Sequence, residues 1–180
     1  MKPGIFRVIL LMIAVTSLIA CQPIKKNPMN QQPLNEKTKD TIIQATEKDP
    51  RQNSMATKLS EFAVDLDLDG EEEKIELHTA AERNKNGEMV WDDGQKWLLV
   101  VQDGDLYYSL LDEYVQLGQV YFNVSYYDNE PLPTITVITD TGANFKLVNY
   151  VYDKAQKGYS AELVYDSKDI NHIFTSIPSY

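Results

Sequence analysis

Over residues 58–180 the apolar positions either alternate with polar ones or run in short blocks between turn residues, the pattern of strands rather than helices. Phe62-Ala63-Val64 makes one such block, and Ile75, Leu77 and Thr79 share one face of the next stretch. Trp97-Leu98-Leu99-Val100-Val101 is apolar without interruption, which predicts a strand buried on both faces. Asp103-Gly104-Asp105 supplies a hairpin turn into a strand over 106–111. Val120, Phe122, Val124 and Tyr126 fall on one face of a further strand, and Asn129-Glu130-Pro131-Leu132-Pro133 breaks it. Strands over 135–138, 145–152 and 159–165 follow, separated by Asp140-Thr141-Gly142 and by residues 154–158. Seven or eight short strands with close turns predict a mainly β domain, a single antiparallel meander arranged as a sandwich or an open barrel. About 120 residues suit one core and not two. Residues 169–180 show no clear pattern.

The start of the chain is patterned differently. Lys2 and Arg7 precede a short apolar run from Ile9 to Leu18, which reads as a secretory signal over residues 1–20 and is too short for a stable membrane span. The run ends in Leu18-Ile19-Ala20-Cys21, and Cys21 is the only cysteine. This tetrapeptide resembles the lipobox of bacterial lipoproteins. The resemblance implies cleavage before Cys21, acylation of its thiol and an extracytoplasmic protein held to a membrane by lipid. An ordinary cleaved signal with a leftover thiol is the alternative. With Cys21 used as an anchor, no thiol remains for a disulfide, a cysteine nucleophile or a thiolate metal site. Residues 21–57, rich in Gln, Asn, Lys and Thr with Pro23, Pro28, Pro33 and Pro50 scattered through, have the composition of a flexible tether. Within it, Thr38 or Asp40 could cap a short helix over 38–48 that uses Ile42 and Ile43 for a small apolar contact.

Charge narrows the partners. Lys2 and Arg7 are the charged residues among the first twenty, so the remainder carries 15 of the 17 Lys and Arg against all 27 Asp and Glu, a net charge near −12. Such a surface repels nucleic acid and anionic lipid, which leaves anchoring to the acyl group.

The acids concentrate in Asp65-Leu66-Asp67-Leu68-Asp69-Gly70-Glu71-Glu72-Glu73. Carboxylates this dense repel one another unless they are fully solvated or wrap a hard cation. Alternate spacing turns the three aspartates toward one concavity, and Gly70 permits a left-handed backbone in the bend. The run resembles the calcium loop of FG-GAP and VCBS-type bacterial surface repeats, a hairpin of the form Asp-x-Asp-x-Asp-Gly-x-x-Asp/Glu between two strands. The resemblance implies a calcium ion held by Asp65, Asp67, Asp69, the backbone carbonyl of Glu71 and Glu73. The fourth position departs from the family: Leu68 stands where Gly or Asn is usual. Glu76, at the twelfth position, also completes an EF-hand spacing. Against that reading, Glu72 holds the eighth position, normally aliphatic, and the flanking residues suit strands. A solvated acidic turn that binds nothing specific is the plain alternative.

Little else points to chemistry. His78 and His172 are the two histidines, neither beside a nucleophile signature, and both read as solvated or locally bonded surface histidines. Eleven tyrosines either pack within the sheets or line a face for a glycan or a protein. The expectation is therefore a lipid-anchored envelope protein with a calcium-stabilised β domain, a binding or structural module rather than an enzyme. Two other readings stand beside it: an envelope hydrolase built on a carboxylate pair, and a metal-free adaptor for a protein partner.

Overall fold

The computed structural model describes residues 41–53, 57–168, Ser176 and Tyr180. Cys21 and His172, like the signal and most of the expected tether, lie outside the described residues.

The described residues form eleven strands. In chain order they are β1 (Thr41–Gln44), β2 (Thr57–Val64), β3 (Glu73–Thr79), β4 (Glu82–Arg83), β5 (Met89–Val90) and β6 (Gly94–Asp103). There follow β7 (Leu106–Gln116), β8 (Gly118–Ser125), β9 (Thr134–Thr141), β10 (Asn144–Asp153) and β11 (Gly158–Lys168). One sheet has the order β1-β11-β10-β9-β8, a second β2-β3-β6-β7, and β4 pairs with β5 as a small hairpin. Every pairing is antiparallel and neither large sheet closes on itself. The meander expected from the pattern is thus present as two runs, β8 to β11 in one sheet and β2, β3, β6 and β7 in the other.

Both sheets contribute to one core. Ile75, Leu77, Trp97, Leu99 and Val101 from one face Val120, Ile135, Val137, Tyr150 and Tyr159 from the other. The uninterrupted run at 97–101 is buried on both faces, each residue at most 1% exposed. Strand β7 meets the five-stranded sheet at several places along its length. Tyr107 forms an isolated bridge with Thr46 just beyond β1, Glu113 lies 3.6 Å from Lys146 of β10, and the Leu117 carbonyl accepts the Gly142 N–H at 3.2 Å. The strand thus meets the chain next to β1 near its start and β10 near its end.

One expectation for the N-terminal side needs correction. Within the stretch assigned to the tether, residues 41–44 form a strand in place of the helix considered over 38–48. Ile42 and Ile43 are β-branched and favour extended backbone, and they sit opposite Ser160 and Tyr159 of β11. The close approach depends on Gly158: a Cβ there would lie 2.5 Å from the Ile43 carbonyl oxygen. The tyrosines divide between packing and surface positions. Tyr108, Tyr150 and Tyr159 are buried, whereas Tyr114, Tyr126, Tyr127 and Tyr165 are exposed.

Candidate metal centre

Residues 65–72 join β2 to β3, the hairpin connection expected for the acidic run. Leu66, 1% exposed, sinks into the core, and its neighbours Asp65 and Asp67 are half-buried. The Asp65 carboxylate accepts the N–H groups of Asp69 at 3.2 Å and Gly70 at 3.0 Å, and the Asp69 carboxylate accepts that of Glu71 at 2.8 Å. These are short-range side-chain to backbone bonds of the kind that make Asp a turn former. The backbone is left-handed at Leu68, with φ +56°, and at Gly70, with φ +98°. Gly70 adopts this without penalty; at Leu68 the Cβ makes it cost about 1–2 kcal/mol. Leu68 is 48% exposed, so burial returns little of that cost.

The bend gathers Asp65, Asp67, Asp69 and Glu73 so that one carboxylate oxygen from each lies within 4.8 Å of the others. Oxygens bound at roughly 2.3–2.6 Å from a single calcium ion lie within about 5 Å of one another, so the spread fits one such ion. All four donors are hard oxygens, which suits calcium, magnesium or manganese and not a thiophilic metal. Among the described residues no Lys, Arg or His forms an ion pair with any of the four. Asp67 Oδ1 is shut off from solvent and has no hydrogen-bond partner among the described residues.

The electrostatics bear the marks of this crowding. Glu73 is 3% exposed and its carboxylate accepts the Leu66 N–H at 2.5 Å. Burial above all, and then the charges of Asp67, Asp103 and Asp65, push its pKa up to about 7 against the opposing pull of the Leu66 bond. Asp67 is raised by burial and then by Asp69, with further contributions from Asp103 and Asp65. Below the acids lies a group of tyrosines: the rings of Tyr108, Tyr152 and Tyr159 meet edge to face at 5.1–6.3 Å. The negative field of Asp67, Asp103 and Glu73 adds to burial in raising the Tyr159 phenol.

Of the residues singled out in the sequence, the structure brings together Asp65, Asp67, Asp69 and Glu73. Glu71 lies in the loop with its side chain exposed and its N–H bound to Asp69. Glu76 is a correction to the EF-hand alternative. The residues after the loop are a strand, and the Glu76 carboxylate binds Arg51 and, at 3.0 Å, His78 on the other face of β3. His78 is locally bonded, to Glu76 two residues away, but buried and not at the surface, being 7% exposed.

One acid escaped the sequence reading. Lys74 of β3 pairs with Gln102 of β6, which sets Asp103 beside the end of the acidic loop. Burial, followed by the charges of Asp69 and Glu71, raises the Asp103 pKa. In the sequence Asp103 reads only as a hairpin residue; strand pairing alone makes it a neighbour of a loop some 30 positions earlier.

No known family profile matches the sequence, no curated protein matches it, and no solved structure matches the fold.

Proposed function

We propose that this chain is a lipid-anchored protein of the bacterial envelope whose β domain is fastened by one calcium ion, and that it serves as a binding or structural module rather than an enzyme. The observation that carries the metal reading is the convergence of Asp65, Asp67, Asp69 and Glu73 within 4.8 Å, with no cationic side chain paired to them among the described residues. Arg51 and Lys58 pair with the buried Glu76; the acids of the loop are neutralised instead by protons or by a bound cation, and the water-excluded Asp67 Oδ1 is suited to a cation. The carbonyl of Glu71 is the further oxygen that the FG-GAP and VCBS-like loop would use. Calcium outside the cell is plentiful enough for sites with Kd on the order of 10⁻⁴–10⁻³ M, and a domain without disulfides gains from such a staple.

The anchor rests on Leu18-Ile19-Ala20-Cys21. Metabolic labelling with a palmitate analogue should mark the protein and fail to mark Cys21→Ser. Binding would use the exposed rings, Tyr114, Tyr126, Tyr127 and Tyr165, toward a protein or a glycan.

The metal reading is tested by thermal melts of the full chain in detergent with calcium, magnesium or chelator. Calcium at tenfold over its Kd should add about 1.4 kcal/mol, and Asp67→Ala should abolish the gain. No shift at millimolar calcium would sink the metal, leaving the loop as a solvated turn.

A further inference from the structure

The stretch between β1 and β2 lies across the outer side of the four-stranded sheet. Leaving β1, the chain exchanges two backbone hydrogen bonds with β7, from Thr46 N–H to the Tyr107 carbonyl and from Tyr107 N–H to the Thr46 carbonyl, both 2.9 Å. It then turns through a 3-10 segment at Pro50–Asn53 and extends Arg51 over three adjacent strands. The guanidinium pairs with Glu76 of β3, donates to the Gln102 side chain of β6 at 3.2 Å and lies 5.2 Å from the ring centroid of Tyr107 in β7. Asp49 aims it, accepting Nε at 2.8 Å, Nη2 at 2.9 Å and the Arg51 backbone N–H at 2.9 Å.

Two features make this fastening reversible. The first is that neither half is stranded when the halves part. Arg51 retains Asp49, two residues away in the same segment, and Glu76 retains His78 at 3.0 Å and Lys58 at 3.6 Å. Breaking an ion pair usually leaves a buried charge alone, which is what makes it costly; here both partners keep a counter-charge or a hydrogen bond. The second is that the segment is lightly built into the core. Strand β1 has a four-residue ladder on one edge of β11, and Ile43 and Ala45 are only partly buried. Segments with little buried apolar surface open before the body of a domain does.

We propose that residues 41–53 are a releasable strap fastened by Arg51, which opens as one unit, carrying β1 off the edge of its sheet, while β2 to β11 stay folded. Opening frees thirteen residues, which at about 3.4 Å each add up to about 44 Å of reach between the domain and whatever precedes residue 41. It also uncovers the backbone edge of β11 at Gly158, Tyr159, Ser160 and Ala161. Resting on the lipid-anchor reading, the strap is thereby a two-length device between the domain and the membrane. It shares no residue with the carboxylate cluster and stands or falls apart from the metal reading.

Hydrogen–deuterium exchange of the full chain, followed by mass spectrometry across a series of urea concentrations below the unfolding midpoint, tests this. Amides of the strap should exchange at least tenfold faster than those of β9 and β10, with rates that low urea hardly changes. Arg51→Met should speed exchange in residues 41–53 and in the facing part of β11 a further tenfold while β9 and β10 stay as they were; Arg51→Lys should fall between. Strap and β9–β10 amides exchanging together throughout the urea series would show that no separate unit exists. A change under twofold in Arg51→Met would show that Arg51 is not the fastener. Should that variant fail to fold, the wild-type urea series decides by itself.

Discussion

Glu73 and Glu76 lie three residues apart on one strand, point to opposite faces and are 3% and 5% exposed, yet their surroundings treat them in opposite ways. Glu76 faces Arg51, His78 and Lys58; burial alone would raise its pKa, but the hydrogen bond from His78 and then the bond and charge of Arg51 outweigh this and hold it below the usual carboxylate range. Glu73 faces other acids, and burial together with Asp67, Asp103 and Asp65 pushes it up to about 7. Burial of a carboxylate therefore says little by itself. What the neighbours supply decides whether the charge is stabilised in place or left to be neutralised by a proton or a metal.

Replacing the two glutamates should give opposite results, and the larger effect belongs to Glu76. Glu76→Gln removes charge-assisted bonds to Arg51 and His78 and should lower stability by about 2 kcal/mol, measured by urea unfolding. Glu73→Gln keeps an acceptor for the Leu66 N–H and removes a strained charge, so the chelator-treated protein should become more stable by about 1 kcal/mol at neutral pH and should no longer respond to calcium. A loss of stability in that variant without calcium would overturn the contrast.

The pH dependence sharpens it. Glu73 is raised from its ordinary 4.5 to about 7, so between these values the folded protein holds a proton that the unfolded chain has released. Its contribution to the metal-free protein is therefore fully present below about pH 4.5 and is lost as pH rises toward 7. Glu76, lowered in the fold, acts the other way: its stabilisation is present above 4.5 and fades as pH falls through its folded value. Melts of the chelator-treated protein between pH 4.5 and 7.5 should show a decline that Glu73→Gln flattens and saturating calcium opposes.

Smaller effects probe the edges of the loop. Asp103→Asn should relieve repulsion worth on the order of 1 kcal/mol or less in the metal-free protein while weakening calcium binding severalfold, read by titration. Leu68→Gly trades the left-handed penalty of about 1–2 kcal/mol against glycine's added chain entropy of about 0.5–1 kcal/mol, a net gain of about 0.5 kcal/mol in a melt.

The local part of this protein was legible in its residues. Alternation and turn chemistry marked the strands around Ile75, Leu99, Val120 and Val137, because the period of two and the backbone needs of Gly and Asp depend on near neighbours. The same holds for Asp65, Asp67, Asp69 and Glu73, whose convergence follows from spacing within one bend. The division into two sheets, the place of Ile42 and Ile43 on the edge of β11, the arrival of Asp103 beside the acidic loop and the pairing of Arg51 with Glu76 were decided by tertiary structure. Arg51 and Glu76 are 25 positions apart, Arg51 and Gln102 are 51 apart, and no local preference encodes such meetings. They arise only when strand pairing and the shared core fix which distant backbones become neighbours, and that choice gave one buried glutamate its cations and the other only acids.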